Sequence, residues 1–181
     1  MYKEPVANVV GLKALAWDLN QNTFVSPARP SFTWSPGGLQ MCNCEKCGNE
    51  PKATCTCGLY ATFDLDIALE YIGYSPISPI FLTEASGVTH IYSYGFRSEE
   101  LTIHAVAPNS EERVAMFAAS QASDYFQVPV TPIDSMIILM DLLNRRTLRE
   151  EYVARSKIVS GMDNAQVFSL LTKVEGGQIA T

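Results

Sequence analysis

The sequence predicts an α+β protein: a small antiparallel β domain with one structural zinc site, followed by a helical C-terminal region. Three observations predict this class. Segments rich in β-branched and aromatic residues dominate residues 1–108, helical periodicity dominates residues 109–181, and all five cysteines lie between Cys42 and Cys57. Strands followed by helices favour α+β packing over alternating βαβ units. We therefore expect a zinc-stapled β-rich domain, 1–108, with the helical region, 109–181, packed on it as one unit.

Short strands are expected on both sides of the cysteine segment. Four segments are predicted as strands: Gly11–Asp18, Thr23–Val25, Ser31–Trp34 and Leu59–Phe63. Turn-forming residues separate the first two, which predicts a hairpin. After the fourth strand, Asp64 or Asp66 is expected to cap a short helix that ends at about Ile72.

The clearest β region lies between Ile80 and Val106. Three runs within it are rich in β-branched and aromatic residues: Phe81–Thr83, Val88–Tyr92 and Leu101–Val106. Gly87 is expected at a bulge and Gly95 at a turn, because glycine interrupts strands at such positions.

Helical patterns follow Pro108. Asn109-Ser110-Glu111-Glu112 is a capping-box pattern that predicts a helix ending near Gln127. Pro132, at a first helical position, predicts a second helix to about Arg155. A third, short helix is predicted after Asp163. The second helix is apolar on most sides around Met136–Leu143, so it is either a core helix or an assembly surface for a protein partner or a second copy.

The cysteine segment predicts one zinc ion bound by Cys44, Cys47, Cys55 and Cys57. Cys44-Glu45-Lys46-Cys47-Gly48 is a CxxCG knuckle, and Cys55-Thr56-Cys57-Gly58 supplies a second pair. Four thiolates complete tetrahedral coordination, so the predicted site is structural rather than catalytic. Cys42 is the spare cysteine, although it could exchange with Cys44. The alternative is a set of free or redox-active thiols.

Charge and hydropathy argue against two classes of partner. The net charge is −6 and the pI is about 4.9, which opposes phosphate-driven nucleic-acid binding. The N-terminus lacks a secretory pattern, and apolar runs such as Met136–Met140 are too short to span a membrane. We therefore expect a cytoplasmic protein. Residues 145–181 carry 6 basic and 4 acidic side chains, so a small DNA-contacting regulator with a basic tail stays an alternative.

Three polar side chains in the β region are candidates for binding a ligand or partner. His90, Arg97 and His104 could share one surface, which makes a hydrolase or transferase a second alternative. A strand histidine is more often packed and hydrogen-bonded, and an arginine more often pairs with a carboxylate. The chain contains no P-loop, GxGxxG, GxSxG or HExxH motif. These patterns assign no catalytic residue.

Several short motifs occur in a recurring order. They are Gly11-Leu12 with Trp17, Trp34-Ser35-Pro36-Gly37, the segment Pro51-Lys52-Ala53-Thr54-Cys55-Thr56-Cys57-Gly58-Leu59-Tyr60-Ala61, Gly95-Phe96-Arg97-Ser98-Glu99 and Val128-Pro129-Val130. Because these motifs occur in this order, the chain resembles a family of small uncharacterised actinobacterial and actinophage proteins over about residues 11–130. Cys44 takes that family's first cysteine position, Cys47 falls near a position that is often histidine, and Cys42 is extra. The resemblance implies a metal-bearing fold and a phage or mobile-element origin.

These observations predict a non-enzymatic zinc-binding protein that acts as a binding or assembly module. In this hypothesis the zinc loop fixes the strands. The helical C-terminal region then contacts a protein partner or a second copy.

Overall fold

The computed structural model describes residues 9–27, 29–48, 51, 55–73, 75 and 77–145. Within these ranges lie eight strands and three helices: β1 (Val10–Ala14), β2 (Ala16–Asp18), β3 (Thr23–Ser26), β4 (Arg29–Trp34), β5 (Leu39–Met41), β6 (Leu59–Thr62), α1 (Leu65–Tyr71), β7 (Ile80–Tyr92), β8 (Gly95–Ala107), α2 (Arg113–Phe126) and α3 (residues 133–145). The predicted α+β class, with a cysteine cluster suited to a zinc site, is confirmed.

The main sheet is antiparallel and closes on itself. Its strand order is β5-β8-β6-β1-β7, and β7 pairs with β8 as well. Leu12 of β1 lies opposite Thr62 of β6 on one side and Leu82 of β7 on the other. A second antiparallel sheet has the order β2-β3-β4 and contains the predicted hairpin, with Ala16 opposite Val25.

The longest structural unit is the β7–β8 hairpin. Two of the predicted runs, Phe81–Thr83 and Val88–Tyr92, are parts of the single strand β7. Gly87 lies in the irregularity between Ser86 and Thr89, which confirms the predicted bulge. A bulge bends its strand. The two ends of the hairpin therefore have different neighbours. Near Ile80, β7 pairs with β1. Near the tip, β8 pairs with β6.

The core has two parts that lie on opposite faces of the closed sheet's strands. The first is aromatic and is covered by the small sheet and α2. Its largest members are fully buried: Phe24, Trp34, Phe81, Phe96 and Phe126. Phe24 and Phe81 have ring centroids 5.8 Å apart, and Phe126 lies 5.3 Å from Phe81. Alanines on the buried face of α2 permit this close packing.

The second part of the core lies under α1 and α3. Val10, Leu12 and Ala14 of β1 face it at alternate positions, as expected for a strand. Met136 and Met140 of α3 are buried there. The described residues up to Leu143 belong to one compact unit, and Asn144 begins a second. The predicted division after residue 108 stays a prediction.

The helix boundaries follow local chemistry in two cases out of three. Asp64 caps α1, with its carboxylate accepting from the N–H of Asp66 at 2.8 Å. Pro132 precedes α3, and its carbonyl accepts from the N–H of Met136 at 3.1 Å. The capping box predicted for α2 is wrong. Its N-cap, Glu112, makes no side-chain capping bond.

Asn109 has other partners that explain this difference. Its side-chain amide donates to the carbonyl of Ser75 at 2.6 Å and to that of Ser78 at 3.1 Å. It therefore ties the loop before β7 to the end of β8 instead of capping α2. The predicted extension of α3 to Arg155 and the third helix after Asp163 lie outside the described residues.

Within the described residues, none of the helices has the length and hydropathy required to span a membrane.

Candidate metal centre

The first arm of the candidate metal centre is a tight turn that follows β5. The N–H of Cys42 donates to the carbonyl of Glu99 in β8 at 2.6 Å, which attaches the arm to the main sheet. Cys44 and Gly48 then exchange two backbone hydrogen bonds of 3.0 and 2.7 Å, and Cys47 N–H donates to Cys44 at 3.3 Å. This local closure confirms the CxxCG turn. It brings the side chains of Cys44 and Cys47 together.

The second arm comes immediately before β6. Tyr60 of β6 lies opposite Arg97 in β8, and the side chain of Arg97 reaches back to the carbonyls of Cys55 and Cys57. Gly58 joins the arm to β6 with a φ of +121°, a conformation that favours glycine. A Cβ at Gly58 would lie 3.3 Å from the Cβ atoms of Arg97 and Pro51. The chain therefore passes close to β8 only because residue 58 has no side chain.

The two arms bring four sulfur atoms together. The Sγ atoms of Cys44, Cys47, Cys55 and Cys57 all lie within 4.8 Å of one another, and all four thiols are free. Tetrahedral zinc with Zn–S bonds of about 2.3 Å requires S–S distances of about 3.8 Å. Cys44 and Cys55 are 3.7 Å apart, which fits. Cys47 and Cys57 are 2.8 Å apart, so this edge would widen by about 1 Å around an ion.

The environments of the thiols differ. The backbone N–H of Lys46, followed by the thiol of Cys47, lowers the pKa of Cys44 to about 6. Burial raises the pKa of Cys57, and neighbouring thiols add to this effect. Thiolates are the form that binds metal. Cys44 is therefore available as a ligand at neutral pH, whereas Cys57 must release a proton when a metal ion binds.

Cys42 lies beside this group of four sulfurs but is not a member of it. Its side chain is 3% exposed and belongs to the aromatic core. Burial raises the pKa of Cys42, although hydrogen bonds with Cys57 and Gly58 oppose that effect. The position of Cys42 outside the cluster is the one expected of the spare cysteine. It favours Cys44 over Cys42 as the fourth ligand.

His90 and Arg97 lie under the cysteine arms, opposite each other in the β7–β8 ladder. Arg97 is 2% exposed. One terminal nitrogen of its guanidinium donates to the carbonyls of Cys55 and Cys57, the latter at 2.8 Å. His90 is also buried, and its Nε2 lies 2.6 Å from the carbonyl of Pro51. A carbonyl only accepts, so Nε2 carries the proton.

His104 lies elsewhere on the sheet. Its Nε2 is 2.6 Å from a carboxylate oxygen of Glu84 at an exposed position. Seven residues of β8 separate it from Arg97, which corresponds to roughly 20 Å along a strand. The structure thus brings His90 and Arg97 together but not His104. A ligand-binding or partner-binding role for these three residues stays a prediction.

The sequence patterns did not identify two further residues, Tyr92 and Lys13, that contact residues of the site or of β6. Tyr92 Oη accepts from Arg97 Nε at 2.7 Å. Lys13 is buried in β1, and its Nζ donates to the carbonyl of Tyr60, in the strand that follows the second arm, at 2.6 Å. A lysine within the apolar segment Val9–Leu15 is the one signal that could have drawn attention to this cation.

No protein-family model, curated protein or solved structure matches the chain.

Proposed function

We propose that the protein is a non-enzymatic zinc-binding module, in which one structural metal ion fixes a loop on a closed β-sheet and the helical region mediates binding or assembly. The observation that carries this proposal is the convergence of the four sulfur atoms of Cys44, Cys47, Cys55 and Cys57. Four thiolates fill a tetrahedral site, and soft thiolate ligands suit zinc. A filled site has no position for a substrate or an activated water molecule.

The outer face of α3 supports the assembly part of the proposal. Met136 and Met140 are buried under the helix. Ile138 and Leu142, on the opposite face, are 60 and 61% exposed. Leu139 and Leu143, which adjoin the buried face, are 44 and 40% exposed. A helix that is apolar on both sides is typical of a contact with another protein surface. We propose that a protein partner or a second copy covers this face.

The resemblance described above supports an origin in a phage or mobile element, and an assembly role fits such a setting. The two alternatives have less support among the described residues. A net charge of −6 opposes a DNA-contacting regulator. Most basic residues of the tail, from Arg146 onward, lie outside the described ranges. A hydrolase or transferase would need free catalytic groups, whereas His90 and Arg97 bind backbone carbonyls.

Metal content of the purified full-length protein tests the zinc site. We expect one zinc ion per chain by elemental analysis and a lower unfolding temperature after chelation. Cys57→Ser should abolish stoichiometric zinc, whereas Cys42→Ser, the matched control in the same loop, should retain it. A metal-free wild-type protein whose stability does not respond to zinc or chelator would refute the metal site.

Light scattering of the zinc-loaded protein, with analysis of copurifying proteins, tests the assembly surface. We expect either a dimer or larger species, or a stoichiometric partner. Leu142→Asp should weaken that association because it places a charge in the apolar face. Ser110→Asp, which adds the same charge at an exposed loop position, should not. A monomeric wild-type protein without a partner, or equal association of both variants, would contradict the assembly role.

A further inference from the structure

We propose that Arg97 is the positioning residue of the metal centre, setting both the orientation of two ligands and the charge balance of the bound ion. The inference rests on the proposed metal site and identifies what in the chain regulates that site's affinity. Arg97 acts through the backbone that carries Cys55 and Cys57.

The first argument is geometric. Cys55 and Cys57 precede β6, which begins at Leu59, so no strand ladder orients their peptide groups. The guanidinium of Arg97 binds the carbonyls of both residues through a single nitrogen. Two bonds to one rigid, planar group fix the Cys55–Thr56 and Cys57–Gly58 peptide planes. The directions in which the Cys55 and Cys57 side chains leave the backbone are fixed in consequence.

The second argument is electrostatic. Four thiolates and one Zn²⁺ carry two net negative charges. Such a centre, partly removed from water, is stabilised by a fixed cation nearby. An arginine guanidinium keeps its positive charge in proteins, and that of Arg97 is almost completely buried. The cation therefore stabilises the negatively charged zinc centre, and that centre in turn compensates the buried positive charge of Arg97.

The third argument is that Arg97 is itself held in place. Its Nε donates to Tyr92 Oη at 2.7 Å, and Tyr92 stacks on Tyr94 with an interplanar angle of 14°. These tyrosines form the tip of the β7–β8 hairpin. The metal centre is thus connected through one side chain to the exposed end of the longest hairpin. Partners in the outer shell of metal sites typically change metal affinity by 10- to 100-fold when removed.

The test is zinc affinity, measured by competition with a chromophoric chelator, together with the absorption spectrum of the Co²⁺-substituted protein. We expect Arg97→Met to weaken zinc binding by about 10- to 100-fold and to alter the Co²⁺ spectrum. Arg97→Lys restores the charge but not the planar fork, so its affinity should fall between those of the wild type and Arg97→Met. Tyr92→Phe should weaken binding by less than about tenfold.

Thr83→Val is the control for a general loss of stability. It removes a buried hydrogen bond from Thr83 Oγ1 to the carbonyl of Gly11, in the same β-sheet but away from the cysteines. Its zinc affinity and Co²⁺ spectrum should match those of the wild type. If Arg97→Met does not fold, the Arg97→Lys variant decides the question.

Unchanged zinc affinity and an unchanged Co²⁺ spectrum in the folded Arg97 variants would overturn the inference while leaving the metal site intact. A loss of affinity in Thr83→Val equal to that in the Arg97 variants would overturn it as well, because the effect would then be general. A wild-type protein that binds neither ion would instead refute the proposed function itself. The two failures are therefore distinguishable.

Discussion

Replacing Lys13 by methionine should stabilise the protein at neutral pH and remove part of the pH dependence of its stability. Lys13 lies in β1 and is 9% exposed. Its ammonium group donates to the carbonyl of Tyr60 at 2.6 Å and lies 5.3 Å from the centre of the Trp34 ring. Burial lowers the pKa of Lys13 from 10.5 to about 8. Methionine has a similar length and carries no charge to bury.

The lowered pKa sets the size and direction of the effect. The difference between 10.5 and about 8 corresponds to about 3 kcal/mol, since one pH unit is equivalent to about 1.4 kcal/mol. Below pH 8 the lysine is protonated in both the folded and the unfolded chain, so the folded state bears the full cost. Between about pH 8 and 10.5 the unfolded chain binds more protons, and stability rises with pH. By pH 9.5 this gain should reach about 2 kcal/mol.

Urea denaturation of the wild type and Lys13→Met at pH 7 and pH 9.5 measures this difference. Other groups titrate in both proteins, so the comparison isolates Lys13. We expect the variant to be more stable at pH 7 by about 1–3 kcal/mol, because the lost cation–π contact and hydrogen bond offset part of the gain. The two stabilities should converge at pH 9.5. Parallel pH profiles, or a variant that is less stable at pH 7, would refute this account of the buried cation.

Three further substitutions test the packing of the scaffold, each by urea denaturation. Phe126→Ala should cost about 3–5 kcal/mol, because its ring packs against Phe24 and Phe81. A loss below about 1 kcal/mol would mean that α2 does not cover the core. Gly95→Ala should cost at least about 1–3 kcal/mol, since the new methyl group would collide with the Ala61 carbonyl in the neighbouring strand. Unchanged stability would mean that the two strands lie farther apart. Tyr125→Phe should cost about 1 kcal/mol through loss of the 2.8 Å hydrogen bond from its hydroxyl to the Trp34 carbonyl, and a neutral effect would show that water replaces this bond.

Features determined by a few neighbouring residues could be predicted from the sequence. The cap at Asp64 depends on amides two and three residues later. The bulge at Gly87 and the turn of Cys44–Gly48 likewise depend on local backbone chemistry. The four-cysteine cluster was predictable because the spacing within each pair limits how far its two thiols can separate. The α+β class followed from the order of strands and helices along the chain.

Features that depend on pairing between distant segments could not be predicted in the same way. The strand β5, Leu39–Met41, has a weak local pattern and is specified by pairing with β8. The capping motif at Asn109 failed because carbonyls more than thirty residues earlier compete for its amide. The contacts of Arg97 with the second cysteine arm depend on the register that pairs Arg97 with Tyr60 of β6. The alternating pattern of one strand shows which side chains share a face, but it does not identify the partner strand or the residue opposite each position.

The metal centre therefore depends on the β7–β8 hairpin as much as on its own cysteines. The hairpin carries three separate attachments for the loop: Glu99 for the first arm, His90 for Pro51 and Arg97 for the second arm. All three hold backbone atoms and leave the sulfur atoms available. A loop bound in this way has its four thiols close together, so less chain entropy would be lost on binding a metal ion. Two of these attachments, His90 and Arg97, are buried polar residues whose side chains hold the loop, although neither belongs to the four-cysteine cluster.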